Sequence, residues 1–184
     1  MELQASKKQR VSTRTIAMVG LMSAIAFVLQ LIALFLPKVA FLDVEVSDLP
    51  ALIAALAIGP GAGVVVEFVK NLLHCTVTTT GFVGELANFV MNGVFVLAAG
   101  VLYRRNKTKK GAVIALIIGV LSLACAGILA NLFIMLPLYM QGAPFAEKLR
   151  IVTTLILPFN LIRGIVLSLL VLLIYKRISM WIKA

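Results

Sequence analysis

The chain has 184 residues, of which 62% are hydrophobic and 13% are charged, and its mean hydropathy is +1.11. A soluble domain has about half of its residues apolar and about a quarter charged, so the composition excludes an ordinary soluble protein. A helix of about 20 apolar residues crosses a bilayer, which leaves room for about five or six helices and for no separate catalytic domain of ordinary size. We therefore predict a single transmembrane domain that covers residues 1–184.

The hydrophobic sequence divides into six predicted helices at Gly, Pro and charged residues. They cover residues 15–36, 50–58, 62–77, 86–103, 112–136 and 151–175. The second and third are too short to cross a bilayer alone, so we expect them to pack as partial helices against the others. Ser47 or Asp48 is expected to cap the second helix, and Pro50 suits its first turn, where the missing N–H costs no hydrogen bond. The predicted fold is an all-α integral membrane protein, a six-helix bundle.

The distribution of charged residues along the chain indicates how the chain is oriented in the membrane. The formal net charge is +10, from 17 Lys and Arg against 7 acidic residues. Twelve of the 17 cations lie in the basic N-terminal segment 1–14, in the loop 104–110 and after residue 175. A chain of six helices places these three regions on one side, and short cytoplasmic loops collect Lys and Arg. Both termini and the basic loop 104–110 are therefore predicted to be cytoplasmic, and we predict no nucleic-acid partner.

Polar residues inside apolar helices are costly, so their positions carry information about function. They lie on four predicted helices: Glu67, Lys70, Asn71 and His74 on the third; Glu85, Asn88 and Asn92 on the fourth; Asn131 on the fifth; and Asn160 with Arg163 on the sixth. The topology brings these residues together in the outer half of the bundle. One interpretation is interhelical hydrogen bonding, worth about 1 kcal/mol per contact. Their clustering favours the other interpretation, a ligand pocket that opens to the outside.

The chemistry of this pocket limits its ligand. Amide side chains pair donors with acceptors without charge, which suits a neutral molecule with imide-like edges and hydroxyls. Lys70 and Arg163 are few cations for a phosphorylated ligand, because acidic residues lie nearby. Aromatic residues near the same helix ends, Tyr139 among them, can flank an aromatic ring. The sequence has no phosphate-binding loop, and its single histidine, His74, belongs to no recognisable catalytic triad or metal motif, so we predict neither an enzyme nor a bound cofactor or metal.

Small residues form a strip on one side of the first predicted helix. Ala17, Gly20 and Ala24 make up this small-residue strip, and Gly20 and Ala24 have the spacing that lets helix backbones approach closely in lipid. Such a strip serves either a partner subunit or a neighbouring helix of the same chain. The spacing alone favours neither interpretation.

Seven short motifs follow one another through nearly the whole chain. They are Ser23-Ala24-Ile25-Ala26-Phe27-Val28-Leu29, Ser47-Asp48-Leu49-Pro50, Gly59-Pro60 with Gly63, Lys70-Asn71-Leu72-Leu73, Ala87-Asn88-Phe89, Asn131 with Leu136-Pro137-Leu138-Tyr139, and Pro158-Phe159-Asn160-Leu161-Ile162. In this order, the sequence resembles the riboflavin-binding S components, the RibU family, of energy-coupling factor (ECF) vitamin transporters.

The resemblance implies a protein of the bacterial plasma membrane that binds riboflavin from the outside and performs no chemistry on it. It also implies a transmembrane coupling subunit of the EcfT type and two cytoplasmic ATPase subunits as partners, with the small-residue strip docking onto the coupling subunit. Asn131 and Asn160 match riboflavin-contacting positions, and Arg163 stands where relatives commonly have Lys. The residues expected to bind the substrate are Leu42, Glu45, Lys70, Glu85, Asn88, Asn131, Tyr139, Asn160 and Arg163.

Three other functions remain open at this point. The chain could be an S component for another vitamin, which would leave riboflavin unbound. It could be a small intramembrane enzyme that uses Glu85 or His74 as an acid or base. It could also be a structural subunit of a helical bundle, which would carry no ligand.

Overall fold

Six helices and one short hairpin make up the computed structural model, which describes the backbone of residues 12–36, 38–39, 42–43, 46–78 and 82–183. Side chains are described for residues 12–36, 46–78 and 82–174. The helices are α1 (Thr13–Ala33), α2 (Leu49–Ala57), α3 (Pro60–His74), α4 (Val83–Arg105), α5 (Lys109–Tyr139) and α6 (residues 145–183). The hairpin pairs β1 (Lys38–Val39) with β2 (Leu42–Asp43) in antiparallel register. The predicted all-α six-helix bundle is confirmed, and the hairpin is a feature that the sequence analysis did not predict.

Four of the helices, α1, α4, α5 and α6, are long and apolar enough to cross a membrane. The other two, α2 and α3, have 9 and 15 residues. At about 1.5 Å per residue they extend roughly 14 and 22 Å, which is less than the hydrocarbon thickness of about 30 Å. The prediction that the second and third segments are too short to span alone is therefore confirmed.

The short helix α2 lies at the centre of the bundle. It contacts α1, α3, α4 and α6. Around it, α1 packs against α3, α3 against α4, α4 against α5, and α5 against α6. Its sequence, LPALIAALA, has no polar residue, and most of it is buried. A helix that is apolar on every side belongs in an interior, so its composition and its position agree. The chain therefore enters the interior of the bundle at Asp48 and reaches the opposite end of the bundle at the turn before Pro60.

Two long helices each contain a widened, π-helical turn. In α5 this turn is Asn131–Met135, and in α6 it is Val152–Ile156. At the end of each turn a backbone N–H donates to the carbonyl five residues earlier, and a proline stands two residues after the turn, Pro137 in α5 and Pro158 in α6. Proline has no N–H and its ring crowds the preceding turn, which the wider turn accommodates. Both turns lie in the halves of α5 and α6 that carry the polar residues.

Glycines determine how closely the two short helices approach their neighbours. A Cβ atom at Gly63 of α3 would lie 2.6 Å from the Ala55 Cβ and 2.7 Å from the Ala51 carbonyl oxygen. A Cβ atom at Gly100 of α4 would lie 2.9 Å from the Cα of Pro60. Real Cβ atoms do not come this close to backbone atoms, so α2, α3 and α4 can pack at these separations only because the side chains are missing.

Replacing Gly63 by Ala should lower the free energy of unfolding by about 1–3 kcal/mol, because the added methyl group overlaps the backbone of α2. Gly61→Ala in the same helix is the matched control, since nothing lies within 4 Å of a Cβ atom there. The control should be neutral or slightly stabilising. Thermal unfolding of the purified proteins in detergent measures both. Equal melting temperatures for the two variants would contradict the close approach of α3 to α2.

Candidate functional site

Four charged side chains meet in the interior of the bundle and form a buried ion network. Asp48 precedes α2, Glu67 and Lys70 lie on α3, and Arg163 lies on α6. The Lys70 Nζ atom lies 2.5 Å from Asp48 Oδ1 and 2.7 Å from Glu67 Oε2, and Arg163 Nη2 contacts Asp48 Oδ2. The first three side chains are 0% exposed, and that of Arg163 is 9% exposed. Two acids and two bases are thus in contact at the junction of three helices.

The carboxylate of Asp48 does not act as the predicted cap. Asp48 occupies the N-cap position of α2 and makes no side-chain capping hydrogen bond there. Its two oxygens are taken by Lys70 and Arg163, and Lys70 also donates to Ser47 Oγ at 3.4 Å. A side-chain cap is worth about 1 kcal/mol, whereas a buried charge without a partner costs several. The prediction of a side-chain cap is therefore wrong, because the two buried cations bind the carboxylate that would otherwise cap the helix.

Two asparagines meet at Gly127 of α5 and form an asparagine cluster. Asn131 Nδ2 donates to the Gly127 carbonyl oxygen at 2.8 Å and lies 3.6 Å from Met91 Sδ of α4. Asn160 of α6 packs on the other side, since a Cβ atom at Gly127 would lie 2.4 Å from Asn160 Nδ2. Both asparagines are buried, and Asn160 Nδ2 has no hydrogen-bond partner among the described residues. A buried donor of this kind can be satisfied by an acceptor on a ligand.

The asparagine cluster and the ion network lie next to each other along α6. Asn160 and Arg163 are three residues apart in a helix, so their side chains project from neighbouring positions on one face. The structure therefore brings together Asn131, Asn160, Arg163 and Lys70, four of the residues that the sequence predicted for the site. Lys70 and Arg163 reach this region with their charges already matched by carboxylates.

A third polar group lies between α3 and α4. His74 Nδ1 lies 2.9 Å from Glu85 Oε1, and Asn92 Nδ2 donates to Asn88 Oδ1 at 3.0 Å. His74, Glu85 and Asn92 are buried. Within the residues that the structure describes, His74 Nε2 and Asn92 Oδ1 have no hydrogen-bond partner. Glu85 is thus held by an interhelical contact, which is the alternative that the sequence analysis weighed against a ligand pocket, whereas Asn88 is held by a contact within α4.

The remaining predicted site residues have different positions. Tyr139 ends α5 and is 54% exposed. Glu45 lies outside the described residues, and Leu42 lies in β2, where side chains are not described. The sequence analysis missed the roles of Asp48, Gly127 and Met91. The sequence signal for Asp48 is an acidic residue that directly precedes an entirely apolar segment, whereas Gly127 and Met91 have no such signal.

The small-residue strip lies on the outer surface of the bundle. Ala17, Gly20 and Ala24 are exposed, whereas residues 23, 26, 30 and 33 form the buried face of α1. No atom of the described chain lies within 4 Å of a Cβ atom placed at Gly20. The alternative that this strip packs against another described helix of the same chain is therefore wrong. Its surface is open to lipid or to a partner.

Polar and charged residues gathered inside a bundle of apolar helices are typical of membrane proteins that bind or transport a solute. A family model described as the substrate-specific component of ECF transporters matches residues 14–175. The chain belongs to this family. Because the family is a component of transporters, the chain is not an enzyme.

Individual relatives agree with this assignment over most of their length. The chain is 37% identical over 172 residues to the riboflavin transporter RibU of Staphylococcus aureus (strain TCH60), with 90% of each chain covered. It is 32% identical over 179 residues to the riboflavin transporter FmnP of Bacillus subtilis (strain 168), covering 92% of this chain and 94% of the relative. A solved structure of the S component of a bacterial ECF transporter matches with a TM-score of 0.77 and 34% identity, covering 93% of this chain and 98% of that one.

Replacing Lys70 by Met should lower the free energy of unfolding by about 3–5 kcal/mol, because it leaves two buried carboxylates facing one buried guanidinium. Lys107→Met is the control, since Lys107 is exposed in the loop between α4 and α5. This change should cost less than about 0.5 kcal/mol. Unfolding in detergent compares the two. Similar stability of both variants would mean that the ion network does not support the fold.

Proposed function

We propose that this protein is the riboflavin-binding S component of an ATP-driven ECF transporter. It lies in the plasma membrane of a bacterium with both termini in the cytoplasm and takes up riboflavin from the outside. The observation that carries this proposal is the asparagine cluster, in which Asn131 and Asn160 meet at Gly127 in a member of the S-component family. The relatives named as riboflavin transporters support the choice of vitamin.

The chemistry of the cluster suits an isoalloxazine ring. The imide edge of that ring alternates carbonyl acceptors with an N–H donor, and a primary amide offers the complementary groups. The buried Asn160 Nδ2, which lacks a partner among the described residues, is one donor for such an edge. The two cations of the ion network beside it are already bonded to carboxyl groups, so they are poorly placed to bind a phosphate. A neutral flavin therefore fits better than a phosphorylated one.

Replacing Asn131 or Asn160 by Leu should weaken riboflavin binding by about 1–3 kcal/mol each, because polar groups of the buried ligand lose their partners. Quenching of flavin fluorescence by the purified protein measures the affinity. Asn106→Leu is the control, since Asn106 is exposed and lies at the opposite end of α4 from the site. If both site variants bind as tightly as the control, these asparagines do not contact riboflavin.

The small-residue strip is the proposed docking surface for the transmembrane coupling subunit of the EcfT type, which two cytoplasmic ATPases would drive. Exposed small residues let a partner helix approach the backbone of α1 closely in lipid. The strip adjoins a surface cleft of about 490 Å³ that lies between the first turns of α1 and the turn from α2 to α3. Ile16, Val19 and Pro60 are among its lining residues. The cleft lies at the end of the bundle that we assign to the cytoplasm, and the strip runs from there to the middle of α1.

Replacing Gly20 or Ala24 by Leu should abolish riboflavin uptake by cells and leave riboflavin binding by the isolated protein nearly intact, because the added side chain blocks a partner and points away from the site. Cys125→Leu is the matched control, since Cys125 is also a small, exposed residue on a helix of the bundle surface. This control should retain both uptake and binding. A joint loss of binding and uptake in the strip variants would place the docking surface elsewhere.

A further inference from the structure

One acid of the ion network, Asp48, contacts both of its cations. Asp48 is 0% exposed and contacts two cations on two different helices, with Oδ1 at 2.5 Å from Lys70 Nζ and Oδ2 against Arg163 Nη2. Glu67 contacts Lys70 at 2.7 Å and is buried to the same extent. The two acids are therefore matched in burial and share Lys70, but the Asp48 carboxylate also reaches α6.

We infer that Asp48 is a positioning residue of the ligand site: it holds the guanidinium of Arg163 in place beside Asn160 and cancels charge that would otherwise favour an anionic flavin. This inference rests on the proposed function. Asp48 itself does not contact the ligand, because both oxygens of its carboxylate are bonded to cations.

The geometry explains why Arg163 needs such a partner. A guanidinium has a planar fork of donors on a long and flexible side chain, and its direction is fixed only where a carboxylate holds one edge. Asp48 sits at the start of the central helix α2, which packs against α1, α3, α4 and α6 and is therefore rigidly placed. A contact from this position fixes Arg163 relative to the whole bundle. The other edge of the guanidinium then keeps one direction at the site.

The same carboxylate sets the charge next to the ligand. Asp48 is the acid that contacts both bases of the network, Lys70 and Arg163. Changing Asp48 to Asn removes its negative charge from both of these cations and leaves positive charge without that partner in the interior. An uncompensated charge acts strongly in a medium of low dielectric constant, so it attracts the phosphate group of riboflavin 5′-phosphate. Loss of Asp48 should therefore change both the affinity for riboflavin and the preference between the two flavins.

The test measures binding of riboflavin and of riboflavin 5′-phosphate to purified protein by fluorescence quenching. Asp48→Asn should weaken riboflavin binding by about tenfold or more and raise the affinity ratio of phosphate ester to riboflavin by about tenfold. Glu67→Gln is the matched control, because it removes an equally buried carboxyl group from Lys70 but leaves the contact between Asp48 and Arg163. It should weaken riboflavin binding by less than about threefold and change the ratio less than Asp48→Asn does.

A comparison of Arg163→Gln with the double variant Asp48→Asn/Arg163→Gln tests whether Asp48 acts through Arg163. Adding Asp48→Asn to Arg163→Gln should change riboflavin affinity by less than about twofold, because the group to be positioned is already gone. This comparison needs no single Asp48 variant. The double variant keeps one buried acid in contact with one buried base, so the comparison remains informative if Asp48→Asn alone does not fold.

The outcomes separate this inference from the proposed function. Wild-type protein that leaves flavin fluorescence unquenched overturns the proposed function and this inference with it. If the wild-type protein binds riboflavin, equal losses in Asp48→Asn and Glu67→Gln overturn the inference alone. A further tenfold loss when Asp48→Asn is added to Arg163→Gln does the same, because Asp48 would then act independently of Arg163.

Discussion

The carboxylate of Asp48 is the constraint on which the arrangement of the helices depends. A charge with no exposed surface is tolerated only where opposite charges reach it, so Lys70 of α3 and Arg163 of α6 must both arrive at the start of α2. The apolar sequence of α2 requires burial on every side, which places that start inside the bundle. Charge pairing and apolar packing therefore select the same arrangement, and the site takes its position from both.

Much of the fold follows from hydrophobicity and from Gly and Pro. The count of six helices, the shortness of α2 and α3 and the ends near Gly59 depend on local composition, which the sequence displays directly. The π-helical turns before Pro137 and Pro158 were not predicted, because proline alone does not decide between a kink, a helix end and a widened turn. The close approach at Gly63 also depends on which helix lies opposite, and no local pattern contains that information.

The site was predictable to the extent that its residues are polar and embedded. Asn131 and Asn160 stand out in apolar segments, and topology places them at one depth, where the structure brings them together at Gly127. The sequence predicts that Asp48 caps a helix, because Asp48 directly precedes the apolar segment of α2. Its actual partners are 22 and 115 residues away, so only long-range geometry identifies them. Gly127 was overlooked because its importance lies in an absent side chain.

The widened turns have a consequence for how this scaffold can diversify. A π-helical turn contains one residue more than an α-helical turn, as a single-residue insertion into a helix would produce. The wider turn takes up the added residue, so the helix beyond it still presents the same face to its neighbours. In α6 that later part carries both Asn160 of the site and Leu167 of the core, and the turn at Val152–Ile156 precedes them. Loss of one residue from this turn would therefore convert it to an ordinary α-helical turn while Asn160 and Leu167 keep their positions, so the length of the chain can vary here without moving the site.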